Sequence, residues 1–292
     1  MKILFINYWL HSKNEYALMN YKNIQFTIIK EIHEINNYNL SEFDCVYSPC
    51  LPIDVSKYPT TKFIFGPHFH VFPDDRLIPI KGNNSVFIQP SDWVSKFWSD
   101  NKKYNVVNDL NIQTLPFGVD TVKFDKYKDI SERNKIFIYF KNRDPNDLNF
   151  IKNFLNSKNI ECKIFGYNDR YAEEDYLKYL KESLYGIWVG AHESQGFAFQ
   201  EALSCDVPLL VWNIKSMNQE YGSNYEDIPA KTNSYWDDRC GEEFFDTLEL
   251  EPIYNKFINN LANYKPREFI LENLSINVCE NKLIDIIKKI SL

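Results

Sequence analysis

The chain of 292 residues is 44% hydrophobic and 16% aromatic, enough apolar material to fill two compact cores rather than one. A net charge of −7 argues against a nucleic-acid partner held by its phosphates, which needs a basic face. Six cysteines without CxxC or metal-finger spacing (Cys45, Cys50, Cys162, Cys205, Cys240 and Cys279) read as reduced thiols of a cytoplasmic protein, and no run of 18 apolar residues suggests a membrane span.

Residues 1–10, MKILFINYWL, are too short an apolar run to span a bilayer and lack a cleavage site. They predict a first buried strand over residues 2–7. Short β-branched and aromatic runs then alternate with helical stretches, which is the pattern of βα units and a parallel sheet. The next strands are expected at residues 24–29, 45–48, 62–65, 85–89 and 112–115. Residues 120–134 are polar, charged and aperiodic, and read as a linker. Strands resume at residues 135–140, 161–165, 186–190 and 208–212. This predicts an α/β chain with one Rossmann-like domain over residues 1–119 and another over 135–275. Residues 276–292 are amphipathic, with Ile276, Leu283, Ile286 and Ile290 near one face. A peripheral membrane helix is the rival to a packed one there, but Lys282, Lys288 and Lys289 are few cations for that task.

The segment GIWVGAHESQGFAFQEALSCDVPLLVW, residues 186–212, carries the clearest chemistry. Two strand-like runs bracket an acidic, glycine-containing turn and a short helix. Glycine is scarce, nine in the chain or about 3% against a typical value of roughly 7%, so each one has a backbone reason to be there. Gly166, Gly186, Gly190 and Gly196 all fall in the second half. A helix beginning near Phe197 presents a partial positive charge and N–H donors, from Gln195, Gly196 and Phe197, to an anion such as a diphosphate. Glu193 before that helix and Glu201 within it can then accept hydrogen bonds from hydroxyl-rich groups on either side. A sugar nucleotide has this layout. Upstream, KIFIYFKNRD ends a buried strand with Lys141 and Arg143, two cations at the strand end where parallel sheets meet their ligands. Such cations would stabilise a departing diphosphate without a metal.

The segment ESQGFAFQEALSCDVPLLV resembles the E-x7-E element of GT-B glycosyltransferases, in particular the large retaining group called family 4. PFGVDTVKF is similar to that family's element closing the first domain, and VFIQPSDWVSKFW to one of its strand–helix units. The resemblance implies two Rossmann-like, doubly wound α/β domains facing each other across a cleft. It implies transfer of a sugar from a nucleotide-sugar donor, UDP- or GDP-linked, to a hydroxyl acceptor that is a glycan, a lipid or a small molecule. Retention of anomeric configuration and independence of metal follow from the same likeness. Glu201 would take the ribose hydroxyls, Glu193 would lie near the sugar ring, and Gly166-Tyr167 would meet the base. A histidine near the reactive face is expected from FIFGPHFHVFP, with His68 favoured over His70. The H-x-H spacing with Asp74 and Asp75 nearby lacks a further His or Cys, so no metal is expected. His192 is as readily structural as functional. The terminal helix of this family often returns to the first domain.

Two departures matter. The usual glycine after the helix is Asp206, which must adopt the left-handed conformation to cap it. The first βα loop, residues 7–15, has no glycine. Tyr8, Trp9 and His11 stand there instead, either as packing or as stacking and polar contacts for a sugar acceptor. The rival functions are a nucleotide-sugar epimerase or hydrolase of the same fold, and a catalytically silent subunit that binds the nucleotide sugar. A DNA-glucosylating enzyme is disfavoured by the charge.

Overall fold

The computed structural model describes residues 1–100, 103–169 and 171–292. It forms two compact units, Met1–Gly118 with Leu274–Leu292, and Val119–Asn273.

The first unit is built on strands β1 (Lys2–Ile6), β2 (Gln25–Ile29), β3 (Cys45–Ser48), β4 (Phe63–Phe65), β5 (Ser85–Gln89) and β6 (Ile112–Thr114), with helices α1 (Ser12–Met19) and α2 (Asp92–Asp100). The sheet order is β2-β1-β3-β4-β5-β6 and every pairing is parallel. The central strands β3, β4 and β5 are buried along their whole length, which is why they read as unbroken apolar runs rather than as alternating ones. Phe87 stacks on Trp98 of α2 with ring centroids 4.8 Å apart, seating that helix on the sheet.

The second unit repeats the topology. Its elements are β7 (Lys135–Lys141), α3 (Pro145–Ser157), β8 (Lys163–Gly166), α4 (Glu173–Leu180), β9 (Ser183–Gly190), α5 (Phe197–Ser204), β10 (Leu209–Trp212), β11 (Gly241–Phe244), α6 (Leu250–Asn259) and α7 (Pro266–Asn273). The all-parallel order is β11-β10-β9-β7-β8. In both units the first strand lies between the second and the third, so the winding direction reverses beside it. Open α/β sheets bind ligands at that reversal, beyond the carboxyl ends of the strands.

Local chemistry explains the boundaries. Asp144 caps α3 by accepting from the Asn146 N–H at 2.8 Å, and Pro145 occupies the first turn, where no amide partner is lost. Helix α5 ends as a Schellman turn, with Val207 N–H on the Ala202 carbonyl at 3.1 Å and Asp206 N–H on Leu203 at 3.0 Å. Asp206 takes the left-handed role at φ 60°, as its position demands. Arg267 of α7 donates to the Ser204 carbonyl at 2.6 Å, placing a cation at the negative end of α5.

Three sequence expectations are revised. The aperiodic residues 120–134 are packed on the second unit: Phe124 is buried, and Arg133 is buried with hydrogen bonds to the Lys128 and Asp206 carbonyls. Their polar sequence hid this because the contacts are made largely through backbone carbonyls. Strand β11, GEEF, was not expected, since as an edge strand it needs no apolar run. The final helix, α8 (Ile276–Lys289), buries Cys279, Glu280, Leu283 and Ile287 in the first unit. That spine is turned from the face expected through Ile276 and Ile286, which are only half-buried. Lys62 donates to the Ile287 carbonyl at 3.1 Å, and the Glu280 carboxylate accepts from the Asn23 side chain at 3.2 Å. The apolar spine of α8 is therefore taken up by protein.

Candidate functional site

In the second unit, Lys141 ends β7 and pairs in register with Gly190, the last residue of β9. The Ala191 N–H donates to the Lys141 carbonyl at 2.9 Å, so the acidic turn grows directly from the topological reversal. Lys141 Nζ lies 2.8 Å from Glu193 Oε1 and 3.0 Å from Oε2. It also sits 4.4 Å above the centre of the exposed Tyr167 ring. The fold thus brings together Lys141, Glu193 and Tyr167, three residues singled out by sequence. Gly166 is close-packed beneath Tyr167, since a Cβ there would lie 2.1 Å from the Asp169 carboxylate.

Gly196 occupies the left-handed region, φ 77° and ψ 61°, as the N-cap of α5. A Cβ at this position would have ordinary 3.5 Å contacts, so the backbone conformation rather than crowding calls for glycine. Gln195 and Gln200 lock the turn onto the helix: Gln200 donates to the Gln195 carbonyl at 2.7 Å. Phe199 packs edge-on against Trp188, itself stacked 3.9 Å from Tyr139, which fixes the direction in which the helix start points. Glu201 is buried one turn into α5. Its carboxylate faces Tyr171 and Tyr176, whose phenols are pushed up chiefly by burial and secondarily by neighbouring groups that include Glu201. Tyr171 feels both Glu201 and Glu193, so the two acidic residues share one neighbourhood.

Arg143 does not join this group. Asn142 takes the left-handed conformation at φ 51°, which breaks the strand alternation that would have carried Lys141 and Arg143 to the same side. Arg143 turns inward, buried, with its guanidinium on Asp147 at 2.8 Å and over the Trp212 ring at 5.0 Å. Its long bonds to the Gly190 and Trp212 carbonyls tie together the ends of β9 and β10.

The connection from β10 to β11, residues 213–240, was not read as part of the site. It replaces the usual crossover helix with an irregular strap, and it holds the acidic turn at four points. Thr232 Oγ1 donates to the Gly190 carbonyl at 3.0 Å, and the Glu193 N–H to the Lys231 carbonyl at 3.0 Å. The Ser234 hydroxyl donates to the Glu193 carbonyl. His192 Nδ1 lies 3.0 Å from Glu220 Oε2, with the Tyr225 ring edge-on beside it. Burial, with help from the Lys141 charge, pushes the His192 imidazole down to about 4, while burial raises the Glu220 carboxyl. Beneath the strap, Asn213 bonds to Asn233, Glu243, Ile214 and Thr232. The available signal was length alone, since a loop far beyond ~12–15 residues is usually functional.

In the first unit, the equivalent reversal lies between β1 and β3. The loop after β1 exposes Tyr8 and Trp9, 58% and 55% accessible, and the Trp9 ring stands edge-on to His68 at 4.9 Å. His68 is half-buried, and burial, reinforced by the His11 charge, lowers its imidazole to about 4. His70 is exposed and contacts the Asp74 carboxylate, which also holds Arg76 at 3.0 Å; Asp75 opens a short turn beside them. Among the described residues, no group of three or more His, Cys, Asp or Glu is arranged to hold a metal ion, and no helix is long and apolar enough to cross a membrane.

No family model and no curated protein matches this chain by sequence. Solved structures do match its fold. The N-terminal domain of trehalose-6-phosphate phosphatase from Candida albicans aligns with a TM-score of 0.61 at 11% identity, covering 100% of this chain and 97% of that one. The lipopolysaccharide outer core galactosyltransferase WaaB, in its apo form, aligns with a TM-score of 0.57 at 12% identity, covering 99% and 100%. Sucrose-phosphate synthase from Thermosynechococcus elongatus aligns with a TM-score of 0.51 at 9% identity, covering 85% and 74%. The chain has the two-sheet, Rossmann-like fold of the GT-B glycosyltransferases.

Proposed function

We propose that this chain is a glycosyltransferase that moves a sugar from a nucleotide-sugar donor to a hydroxyl acceptor. The observation that carries the reading is the cluster at the reversal of the second sheet, where the Lys141–Glu193 pair, the left-handed Gly196 and the start of α5 adjoin, with Glu201 buried one turn on. In this reading the diphosphate lies against the N-terminal end of α5 and Lys141, whose charges offset the negative charge that grows as the nucleotide leaves. Glu201 accepts from the ribose hydroxyls, Glu193 from the sugar ring, and Tyr167 borders the base. With Arg143 engaged elsewhere, Lys141 is the cation that acts. Retention follows if the acceptor attacks the face the diphosphate leaves, its proton passing to the leaving phosphate oxygen, and no metal is needed for that step. His68, neutral at physiological pH, is the first unit's candidate contact with the reacting sugar.

A specific observation favours a second reading, a silent nucleotide-binding subunit: Lys141 is already neutralised by Glu193. One experiment addresses both. UDP, GDP, ADP, CMP and dTDP are tested for thermal stabilisation of the wild type and Glu201→Gln, with and without Mg²⁺, and the matching nucleotide sugar is then assayed for turnover. Nucleotide at ~100 times its Kd should stabilise the wild type by roughly 2.7 kcal/mol, and the variant much less. Stabilisation without turnover selects the silent subunit. No stabilisation by any nucleotide rejects both.

A further inference from the structure

We propose that the first unit carries a binding site for a neutral saccharide, with Trp9 and Tyr8 as its stacking platform and His68 Nε2 as its polar contact. This inference rests on the transferase reading and names the acceptor class, a glycoside in preference to a lipid.

Four observations carry it. The site lies at the topological reversal of the first sheet, where the loops after β1, β3 and β4 converge. The His68 N–H donates to the Pro49 carbonyl at 2.9 Å, and the Cys50 thiol is hydrogen-bonded to the Trp9 backbone, so the three loops are tied together. Second, of the six tryptophans only Trp9 is exposed, and its neighbour Tyr8 is exposed as well. An indole left in water forgoes a large burial gain, so two adjacent exposed rings at a ligand-binding edge call for an occupant. Third, His68 Nε2 is buried and has no hydrogen-bond partner. Buried polar atoms are nearly always paired, and this one lies under the Trp9 ring, at the edge where a ligand hydroxyl would arrive.

Fourth, the charges fit a neutral ligand. The His68 imidazole is uncharged above about pH 4, and Arg76 is held by both oxygens of Asp74. A pyranose presents polarised C–H groups on one face, which suit the negative face of an indole, and hydroxyls at its rim, which can give or take a hydrogen bond from a neutral imidazole. An acyl chain would use the rings but leave the imidazole unpaired. A phosphate would find no cation released for it by these residues.

The test is saturation-transfer NMR on the full chain with methyl α-glucoside, methyl β-galactoside, methyl N-acetyl-β-glucosaminide and the corresponding disaccharides, each with wild type, Trp9→Ala, Trp9→Phe and His68→Gln. At least one saccharide should receive saturation through its ring C–H protons from the wild type. Trp9→Ala should weaken binding at least about tenfold, while Trp9→Phe, which keeps a ring, should restore most of it. His68→Gln should weaken it less, by about two- to tenfold. Nucleotide stabilisation, read by thermal shift in the same samples, should be unchanged in Trp9→Ala and serves as proof of folding. Absence of saturation with every probe, or equal saturation in Trp9→Ala, overturns the proposal, and intact nucleotide binding in those samples leaves the transferase reading standing. Trp9-dependent saturation in a chain that binds no nucleotide upholds the saccharide site and removes the transferase reading.

Discussion

The strap makes Asn213 the most consequential neutral side chain in the second unit. Its amide nitrogen donates to Asn233 Oδ1 and Glu243 Oε2, each at 2.7 Å, and its oxygen accepts from the Ile214 and Thr232 N–H groups, each at 2.9 Å. Asn213, Asn233 and Thr232 are all buried, and water cannot easily replace these bonds. Asn213→Ala strands two buried N–H groups at roughly 1–3 kcal/mol each and takes one donor from Glu243, which keeps Asn233. The expected loss is roughly 3–6 kcal/mol, against a typical total stability of about 5–15 kcal/mol. For a unit the size of Val119–Asn273, at about 2–4 °C per kcal/mol, the melting temperature should fall by roughly 6–24 °C.

The effect should reach the site, because Thr232 is held by Asn213 and itself holds Gly190, while the adjoining Lys231 carbonyl holds the Glu193 N–H. Thermal unfolding monitored with and without the stabilising nucleotide reads both consequences. Asn213→Asp is the informative partner: it keeps both acceptor bonds but sets an acid against the Asn233 oxygen and the Glu243 carboxylate, so it too should be destabilising. A shift of less than about 2 °C in Asn213→Ala would refute the argument, since it would mean the buried N–H groups find partners without the amide.

Other consequences are as direct. The native His68 and His192 imidazoles titrate at about 4, the unfolded ones at roughly 6.5, so the unfolded chain binds more protons between those values. Stability should therefore be complete above about pH 6.5 and decline as the pH falls toward 4; His68→Gln should lose on the order of 3 kcal/mol less over that window in urea titrations, and identical pH slopes would contradict the assignment. Gly118→Ala would place a Cβ 2.4 Å from the Ile276 Cα, a backbone atom that cannot step aside, and should cost roughly 1–3 kcal/mol or more by overpacking. An unshifted urea midpoint would show that α8 does not begin against Gly118. Gly196→Ala meets no crowding but must hold φ 77°, so it should cost roughly 1–2 kcal/mol and weaken nucleotide binding, with Gly196→Asn milder; equal loss in the two would point to sterics instead.

What could be seen in the sequence was what is local. Ten strands were legible because a parallel sheet buries whole runs such as CVYS and LLVW, and the turn at Gly196 because left-handed backbone selects glycine where glycine is scarce. Asp206 was legible as a cap for the same reason, despite not being glycine. Partner choice across the sheet was not. Lys141 and Glu193 are 52 positions apart, and their pairing depends on the register of β7 against β9, which no local pattern encodes.

Arg143 shows how narrow the margin is. Strand periodicity assigned it to the same face as Lys141, and one residue in the left-handed region, Asn142, sent it into the core instead. The consequence is chemical. A site with two strand-end cations would carry spare positive charge, whereas this one holds a single lysine already matched by Glu193. An incoming diphosphate must then compete with Glu193 for Lys141, unless a sugar hydroxyl reaches Glu193 at the same time. Nucleotide sugar should accordingly bind more tightly than the bare nucleoside diphosphate, because the sugar offers Glu193 a substitute partner and the diphosphate alone does not. Calorimetric titration of both ligands checks this, and removing the carboxylate by Glu193→Gln should invert the order. Equal affinities in the wild type would mean that the Lys141–Glu193 pair stays closed when ligand binds.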